Sequence, residues 1–316
     1  MDLYLGIDTS AYTTSLAVVD GEGNLFSEAR SVLSVNPGGR GLAQNEAVFQ
    51  HVANLPVLFE RLSAEVDFFH LKGVAASVRP RPVEGSYMPV FRVSESYGRS
   101  LAATWKVPFV GTSHQEGHLA AGIWSAKGPA ATEFLAVHLS GGTTELLRVT
   151  KGQHFQISIL GGSTDLHAGQ FVDRVGVYLG LPFPAGPALE KLAREAPEDG
   201  TSLPSSVNGY DVSFSGPETA ARRLLEKKYP ASAVARAVEK CIAISLEKVI
   251  RKAVESTHIR DILVVGGVSA NQYLRERLLA RLGHRAEGAK IYFAAPSLSS
   301  DNAVGVAVIG MEIINK

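Results

Sequence analysis

The chain has 316 residues, enough for a sizeable core and more than most single domains, so two domains are expected. Lys and Arg together number 31 and Asp and Glu 31, which excludes an overall positive field and leaves any nucleic-acid partner dependent on a local patch or a helper subunit. The hydrophobic content of 45% is ordinary for a globular protein, and no apolar run reaches membrane-spanning length.

The first half of the chain begins with three short strands. Leu3–Asp8 and Ser15–Val19 are apolar, and a turn leads into a third strand around Leu25–Phe26. A loop rich in hydroxyl groups, Thr9–Thr14, connects the first two strands. Met1 leads directly into the first strand without a signal peptide, so a cytoplasmic location is expected. Further predicted elements are a helix from about Glu46 to Ala64, a strand at Val74–Val78, a helix around Glu95–Trp105 and a short strand at Phe109–Val110.

Two histidines follow that short strand. His114 and His118 are four residues apart, so on a helix both imidazoles lie on one face and are able to hold one metal ion. Gly111–Ser113 is expected to form a loop with an N-cap before this helix. A zincin protease has its glutamate directly after the first histidine, whereas Glu116 is two residues on, roughly 200° around the helix, which excludes that class. A pair of surface or capping histidines is the alternative to a metal site.

After Gly128 the pattern of three strands is repeated. The predicted strands are Phe134–Leu139, Glu145–Val149 and Gln153–Leu160, with a glycine-containing loop after the first of them. Such a duplication predicts two similar α/β domains that face each other across a cleft. We expect an N-terminal domain of residues 1–128 plus 303–316 and a C-terminal domain of residues 129–302.

A pair of glycines follows the last predicted strand of the second half. Asp261–Val265 is a buried strand that runs into Gly266 and Gly267, and a helix begins near Asn271. Such a turn lets the backbone approach a ligand, although an ordinary connection between a strand and a helix has the same pattern.

The chain has one cysteine, Cys241, on the apolar side of a helical pattern. It is expected to be a buried packing residue. One cysteine excludes both an intrachain disulfide and a cysteine metal site.

Six short segments together carry a resemblance to a known family. In chain order they are Gly6–Ser10, Ser113–His118, Leu139–Gly142, Asp211–Gly216, Gly266–Asn271 and Ser300–Ala303. With these motifs the sequence resembles the TsaD (Gcp) family, the tRNA adenosine N6-threonylcarbamoyltransferases formerly described as O-sialoglycoprotein endopeptidases. The resemblance implies the ASKHA fold of actin, Hsp70 and the sugar kinases, an α/β fold of two duplicated domains around a nucleotide- and metal-binding cleft.

The resemblance implies a metal centre. In this family two histidines and an aspartate hold one iron or zinc ion, and the matching residues are His114, His118 and Asp301. Imidazole and carboxylate groups suit such an ion. Archaeal relatives add a tyrosine in the strand before the Ser-Gly-Gly loop, where this chain has His138. His138 is accordingly expected either as a fourth ligand or as a strand residue without metal.

The resemblance also implies a site for an adenine nucleotide or threonylcarbamoyl-adenylate. The matching residues are the substrate loop Leu139, Ser140, Gly141, Gly142 and Thr143, the ribose positions Asp173, Gly186 and Glu190, and Asn271 at the nucleotide base. Backbone N–H groups of such a loop suit a phosphate. Glu190 stands where relatives often have aspartate. In the first loop, Asp8 and Ser10 are the expected catalytic residues.

The implied reaction is the metal-dependent transfer of a threonylcarbamoyl group from an adenylate to the N6 amine of the tRNA adenosine next to the anticodon. In such a reaction the protein contributes mainly the positioning of the reactants and the stabilisation of charge. Family members work with a small paralogous subunit and an ATPase, and a homodimer is the other expected assembly.

Four positions depart from the family pattern. Tyr12 and Thr13 replace the acidic pair of the first loop, Glu218 replaces the lysine after Ser-Phe-Ser-Gly, and Thr143 replaces the histidine after Ser-Gly-Gly. These changes leave open a divergent, catalytically weak paralog that binds nucleotide and metal and acts as a partner subunit or on a different acceptor. An ATP-dependent kinase is disfavoured, because the histidine pair and Asp301 would then have no role.

Overall fold

The structure of the chain is a computed structural model that describes residues 1–10, 12–35, 42–197, 201–285 and 288–316. Ala11 of the first loop lies outside these ranges. The chain divides into two compact units, one of Met1–Ser125 with Asp301–Lys316 and one of Ala126–Ser300. Each unit has a five-stranded sheet and its own hydrophobic core. Within the described ranges, no helix combines the length and the apolar character that a membrane span requires.

The first unit consists of five strands and four long helices. Its strands are β1 Leu3–Thr9, β2 Thr13–Asp20, β3 Leu25–Val32, β4 Leu71–Arg79 and β5 Phe109–Ser113. Its helices are α1 Gln44–Ser63, α2 Phe91–Trp105, α3 His114–Ala126 and, from the end of the chain, α10 Val304–Ile314. The sheet has the order β3-β2-β1-β4-β5, in which β1, β2 and β3 are antiparallel and β1, β4 and β5 are parallel.

The second unit has the same plan with additional short strands. Its strands are β6 Glu133–Leu139, β7 Thr144–Thr150, β8 Gln156–Gly162, β9 Ser206–Asn208, β10 Asp211–Ser213, β11 Asp261–Val265 and β12 Lys290–Phe293. Its helices are α4 Ala168–Tyr178, α5 Gly186–Ala193, α6 Ser215–Glu226, α7 Ala231–Thr257, α8 Gln272–Arg285 and α9 Pro296–Ser299. The large sheet has the order β12-β11-β6-β7-β8, again with three antiparallel strands followed by parallel ones. The predicted duplication of an α/β unit is therefore confirmed.

Burial explains why the central strands could be recognised. All seven residues of β1 are buried, and so are the last four residues of β11. Central strands of a sheet that is covered on both faces are expected to be apolar without alternation. Cys241 is 1% exposed within the core of the second unit, as its position in the helical pattern predicted.

The prediction of a loop at Gly111–Ser113 is wrong. Gly111, Thr112 and Ser113 continue β5 and pair with β4, and α3 begins at the next residue, His114. Ladder hydrogen bonds with β4 keep these residues extended, although glycine, threonine and serine are common in turns. The histidine helix therefore starts directly at the end of a parallel strand.

Helix α10 packs against β1 at Gly6. A Cβ atom at position 6 would lie 2.5 Å from the carbonyl oxygen of Ala303 and 2.5 Å from the backbone nitrogen of Ala307. Both atoms belong to the backbone, so a side chain at position 6 would have to displace the helix. The absence of a side chain at Gly6 therefore determines how closely the last helix lies on the central strand.

We expect Gly6→Ala to lower the free energy of unfolding by about 1–3 kcal/mol, because overpacking against backbone cannot be relieved by a change of rotamer. The measurement is urea unfolding of the variant and the wild type. Gly21→Ala is the control, since a Cβ atom there would meet no atom closer than 3.8 Å. Equal midpoints for the two variants would contradict the proposed contact.

Candidate functional site

The first turn of α3 is held by a capping box of Ser113 and Glu116. Ser113 Oγ accepts a hydrogen bond from the backbone N–H of Glu116 (3.2 Å), and Glu116 Oε2 accepts one from the backbone N–H of Ser113 (2.8 Å). The same carboxylate oxygen accepts from the hydroxyls of Ser113 (2.7 Å) and Thr112 (3.1 Å). Glu116 thus fixes the start of the histidine helix, as the Ser-x-x-Glu pattern does elsewhere. This role agrees with the exclusion of a zincin site.

Helices α3 and α10 approach each other at two glycines. A Cβ atom on Gly305 would lie 1.9 Å from the carbonyl oxygen of Gly117, so no side chain fits there. Gly117 lies between the two histidines of α3, and Asp301 precedes Gly305 by four residues, just before α10 begins. The close contact therefore brings the aspartate to the part of α3 that carries the histidines.

His114, His118 and Asp301 form a group whose ligand atoms all lie within 4.8 Å of one another. Asp301 Oδ1 lies 3.3 Å from His118 Nε2 and 3.5 Å from His114 Nε2. Burial alone would raise the pKa of Asp301, but the hydrogen bonds with the two histidines hold that pKa well below its usual range. The group therefore contains a charged carboxylate between two imidazoles.

The second ring nitrogen of His114 is held by Asp8, near the end of β1. His114 Nδ1 lies 3.0 Å from Asp8 Oδ1, which also accepts a hydrogen bond from the hydroxyl of Ser77. Burial lowers the pKa of His114, but the charge of Asp8 and the hydrogen bonds with Asp301 and Asp8 outweigh it and raise the pKa to about 10. A carboxylate on one ring nitrogen orients the imidazole and leaves its other nitrogen for a metal. In this structure Asp8 is thus placed to position His114, and its expected catalytic role stays a prediction.

Ser10 is held at the same centre by two contacts. Its hydroxyl donates to Asp301 Oδ2 at 2.8 Å, and its carbonyl oxygen accepts a hydrogen bond from His51 Nε2 at 2.8 Å. Because a carbonyl only accepts, the ring proton of His51 is assigned to Nε2. Burial lowers the pKa of His51, so Nδ1 accepts from the Thr14 hydroxyl, 2.8 Å away. His51 therefore fixes the backbone of the first loop.

The residues present fit a divalent transition metal. Two imidazole nitrogens and one carboxylate are a donor set that suits iron or zinc and leaves positions open for substrate. In the part of the chain that the structure describes, no hydrogen-bond donor reaches Asp8 Oδ2, a buried oxygen beside this group. A buried carboxylate with an oxygen left unsatisfied is stabilised by a nearby cation.

His138 lies near the end of β6 in the second unit and is 3% exposed. Its neighbours in the sheet are Glu145 of β7 and Val265 of β11. Its role as a fourth metal ligand stays a prediction.

The loop after β6 packs against the start of α4. The backbone N–H of Ser140 donates to the carbonyl of Thr143 (2.8 Å), and the N–H of Gly169 donates to the carbonyl of Ser140 (3.2 Å). Leu139 is fully buried and anchors the loop, whereas Gly141 and Gly142 are exposed. The tip of this loop is therefore the part with backbone accessible to a ligand.

Three of the four residues predicted beyond this loop line one cavity of the second unit. Gly186, Glu190 and Asn271 border a cavity of about 130 Å³ whose wall is otherwise mostly apolar. Small-molecule pockets usually begin at about 300 Å³, so this cavity suits one part of a nucleotide. Asp173 does not line the cavity but accepts a hydrogen bond from the backbone N–H of Ala185 (2.7 Å), the residue before Gly186. Burial raises the pKa of Asp173. Asp173 therefore fixes the residue from which α5 starts.

Glu239 of α7 is a third polar side chain of this cavity, and no sequence motif pointed to it. It is 1% exposed, and its carboxylate oxygens accept hydrogen bonds from Asn271 Nδ2 (2.6 Å) and Arg236 Nη1 (2.6 Å). Burial raises the pKa of Glu239 to about 7, although the hydrogen bond with Asn271 and the charge of Arg236 lower it. The only sequence signal was an acidic residue within an apolar helical pattern.

The departures from the family pattern lie in different environments. Thr13 is buried as the first residue of β2, and Tyr12 is half-buried beside it. Glu218 is 7% exposed and accepts a hydrogen bond from the hydroxyl of Tyr178 at 2.9 Å. Glu218 therefore has a structural partner within the second unit.

Comparison with known proteins identifies the relatives of this chain. The model of the TsaD family, described as tRNA N6-adenosine threonylcarbamoyltransferase, matches residues 28–308. A tRNA N6-adenosine threonylcarbamoyltransferase of Thermus thermophilus is 34% identical over 311 residues, covering 96% of this chain and 90% of that protein. The protein of the same name from Archaeoglobus fulgidus is 31% identical over 307 residues, covering 97% and 90%.

Solved structures of more distant proteins share the fold. Component A of the (R)-2-hydroxyglutaryl-CoA dehydratase of Acidaminococcus fermentans matches with a TM-score of 0.60 at 14% identity, covering all of both chains. A ROK family glucokinase from Streptomyces griseus, solved with glucose and AMPPNP, matches with a TM-score of 0.54 at 13% identity; the match covers 98% of this chain and 99% of that chain. These likenesses show the predicted ASKHA fold and nothing about the chemistry. The family match and the two relatives above 30% identity show that this chain is an enzyme of the TsaD family.

Proposed function

We propose that this enzyme transfers a threonylcarbamoyl group from threonylcarbamoyl-adenylate to the N6 amine of the tRNA adenosine next to the anticodon. One observation carries the proposal: a chain of this family retains the partly buried group of His114, His118 and Asp301 with its supporting contacts. The match to this chain covers 90% of the length of each of the two relatives whose names state this activity. That coverage favours the transferase over a divergent paralog with a different acceptor.

A divalent iron or zinc ion would be held by Asp301 and by the Nε2 atoms of His114 and His118. When bound, it supplies positive charge that orients the phosphate or polarises the carbonyl of the donor. Asp8 fixes the orientation of the His114 ring through Nδ1, and the Ser10 hydroxyl donates a hydrogen bond to the second oxygen of Asp301. The protein therefore contributes a rigid set of donors whose orientation does not depend on substrate.

The donor would be held through its adenosine part. The cavity bordered by Gly186, Glu190 and Asn271 receives the nucleoside, and the exposed backbone at Gly141 and Gly142 faces the phosphate. The N6 amine then attacks the carbamoyl carbon, the bond from that carbon to the phosphate oxygen breaks, and AMP leaves and takes up the proton of the amine. The enzyme stabilises this step mainly by positioning both reactants.

The expected binding partners follow from the tRNA substrate and from the net charge of the chain. The whole chain carries no net charge, so tRNA binding would draw on helper subunits, a small paralogous subunit and an ATPase, or on a homodimer. A tRNA substrate is consistent with the cytoplasmic location expected from the sequence.

We expect His114→Ala and Asp301→Ala each to abolish stoichiometric iron or zinc, because each removes one of three donors. Elemental analysis of the purified variants measures this. His70→Ala is the control, since His70 is an exposed histidine that also faces an aspartate, Asp67. Metal retained by the double variant of His114 and Asp301 would refute the centre. His138→Ala is expected to lower the metal content partially, and an unchanged content would remove His138 from the ligand set.

We expect AMP to raise the melting temperature of the metal-loaded enzyme, because a ligand of the native state stabilises it by about 2.7 kcal/mol at 100 times its Kd. Asp173→Ala should reduce the shift, since the start of α5 at the cavity loses its hydrogen bond. Glu226→Ala is the matched control, an exposed acid of the same unit that pairs with Arg222. No shift with the wild type at saturating AMP would contradict the nucleotide site.

We expect the purified enzyme, given threonylcarbamoyl-adenylate, tRNA and its partner subunits, to modify tRNA more slowly than relatives that have the acidic pair of the first loop. Loss of one positioned acid or base costs about 10²–10⁴-fold. Tyr12→Asp should recover part of this rate, whereas Tyr87→Asp, at an exposed tyrosine of the same unit, should not. Glu218→Lys is not a useful restoration, because it would bury an ammonium beside Tyr178. If tRNA stays unmodified by the wild type and by Tyr12→Asp while metal and AMP bind, the acceptor is a different one.

A further inference from the structure

Glu239 and Asn271 form the polar part of the cavity proposed to receive the nucleoside. Both side chains border the cavity, and Asn271 Nδ2 donates to Glu239 Oε1 at 2.6 Å. The cavity has one further polar side chain, Glu190, whose Oε1 accepts from Arg194 (2.9 Å) and from the backbone N–H of Gln272 (3.2 Å). One oxygen of Glu190 is therefore held at the start of α8, whereas Glu239 and Asn271 are bonded to each other at the cavity wall.

The amide of Asn271 has one fixed orientation. Its oxygen accepts from the backbone N–H of Leu274 (2.9 Å), and its nitrogen donates to Glu239 (2.6 Å). Rotating the amide by 180° would place its oxygen against the carboxylate of Glu239 and its NH₂ group against an N–H donor. Both contacts would be repulsive. Glu239 therefore holds Asn271 with one amide proton left to donate elsewhere.

The cavity wall consequently presents an acceptor beside a donor. Each carboxylate oxygen of Glu239 has one partner and retains further lone pairs. Adenine offers the complementary pattern, an N6 amine that donates next to the ring acceptor N7. Guanine offers O6 and N7, which are both acceptors, so its O6 would face a carboxylate. A carboxylate against an unprotonated carbonyl leaves two buried acceptors without a proton.

We propose that Glu239 is a specificity-determining residue that selects adenine over guanine in the donor. It does so by accepting a proton from the exocyclic amine and by holding the amide N–H of Asn271 available for the ring nitrogen. This inference rests on the proposed nucleotide site and assigns its base selectivity to a residue outside the six family motifs. A purely structural Glu239 would affect stability and would leave the ratio of the two affinities unchanged.

The acceptor role requires the charged form of Glu239. The groups that face it are Arg236 of α7, Glu190 and Arg194 of α5, and Asn271 at the start of α8. Burial outweighs the attraction of the arginines and raises its pKa to about 7. Below that pH the carboxyl binds a proton and becomes able to donate to O6 of guanine. The preference for adenine should therefore be full above about pH 8 and should decline as the pH falls through 7.

The test compares the Kd values of AMP and GMP, measured by calorimetry on the metal-loaded full-length enzyme. Glu239→Gln is the variant, because it removes the negative charge, keeps an oxygen for Asn271 and replaces the oxygen bound by Arg236 with an NH₂ group that is able to donate to O6 of guanine. We expect the ratio of the GMP and AMP Kd values to fall by about 5- to 150-fold, the range of one well-placed base contact. Glu247→Gln is the matched control, a buried glutamate two turns along α7 that is bound by Arg251, Arg277 and Arg281 and does not line the cavity.

An unchanged ratio in Glu239→Gln, with AMP bound, overturns this inference and leaves the proposed function intact. An equal fall in Glu247→Gln overturns it as well, since the effect would then come from α7 in general. If the wild type binds neither nucleotide, the proposed nucleotide site fails and this inference with it. Should Glu239→Gln not fold, Glu239→Ala takes its place, and an unchanged ratio of the two Kd values in that variant overturns the assignment.

Discussion

The carboxylate of Asp301 is the interaction on which the first unit depends. One oxygen lies between the two histidines of α3, and the other accepts a hydrogen bond from the hydroxyl of Ser10 in the first loop. Three segments that are distant in sequence therefore meet at one side chain. Their charges are complementary, because a carboxylate with a depressed pKa faces an imidazole whose pKa is raised to about 10. A proton on His114 thus stabilises the group, and a metal ion bound at Nε2 would take the place of such a proton.

The packing around this carboxylate leaves little freedom. Gly305 and Gly117 allow α10 and α3 to touch through their backbones, and Gly6 allows α10 to lie directly on β1. A side chain at Gly6 or Gly305 would meet backbone atoms at 2.5 Å or less and would move Asp301 relative to the histidines or to Ser10. Because metal donors must be held within a few tenths of an ångström, small residues at these contacts serve the chemistry through the backbone.

The sequence predicted the parts that repeat or that follow a local rule. The two sets of three strands were found from apolar runs and turn residues, and the likeness of the two units was found from the duplication. The capping pair Ser113 and Glu116 was equally readable from the Ser-x-x-Glu pattern, which explains the buried glutamate without any catalytic role. Asp301 could be joined to His118, 183 positions away, only through the family resemblance, because no local rule relates residues at that separation. Glu239 was not found for the same reason, since its partner Asn271 comes from another segment of the chain.

The carboxylates of Asp301 in the first unit and Glu239 in the second behave in opposite ways, and this difference follows from the partners that each fold supplies. Asp301 has two imidazoles and a hydroxyl, so burial is outweighed and the charge is retained. Glu239 has a neutral amide and one arginine, so burial dominates and the pKa rises to about 7. A carboxylate whose charge is secure attracts a cation, whereas one whose charge is marginal gains most from a ligand that brings a donor proton. The first arrangement suits a metal and the second suits the amine edge of a base, so one kind of side chain is prepared for two different ligands by the partners around it.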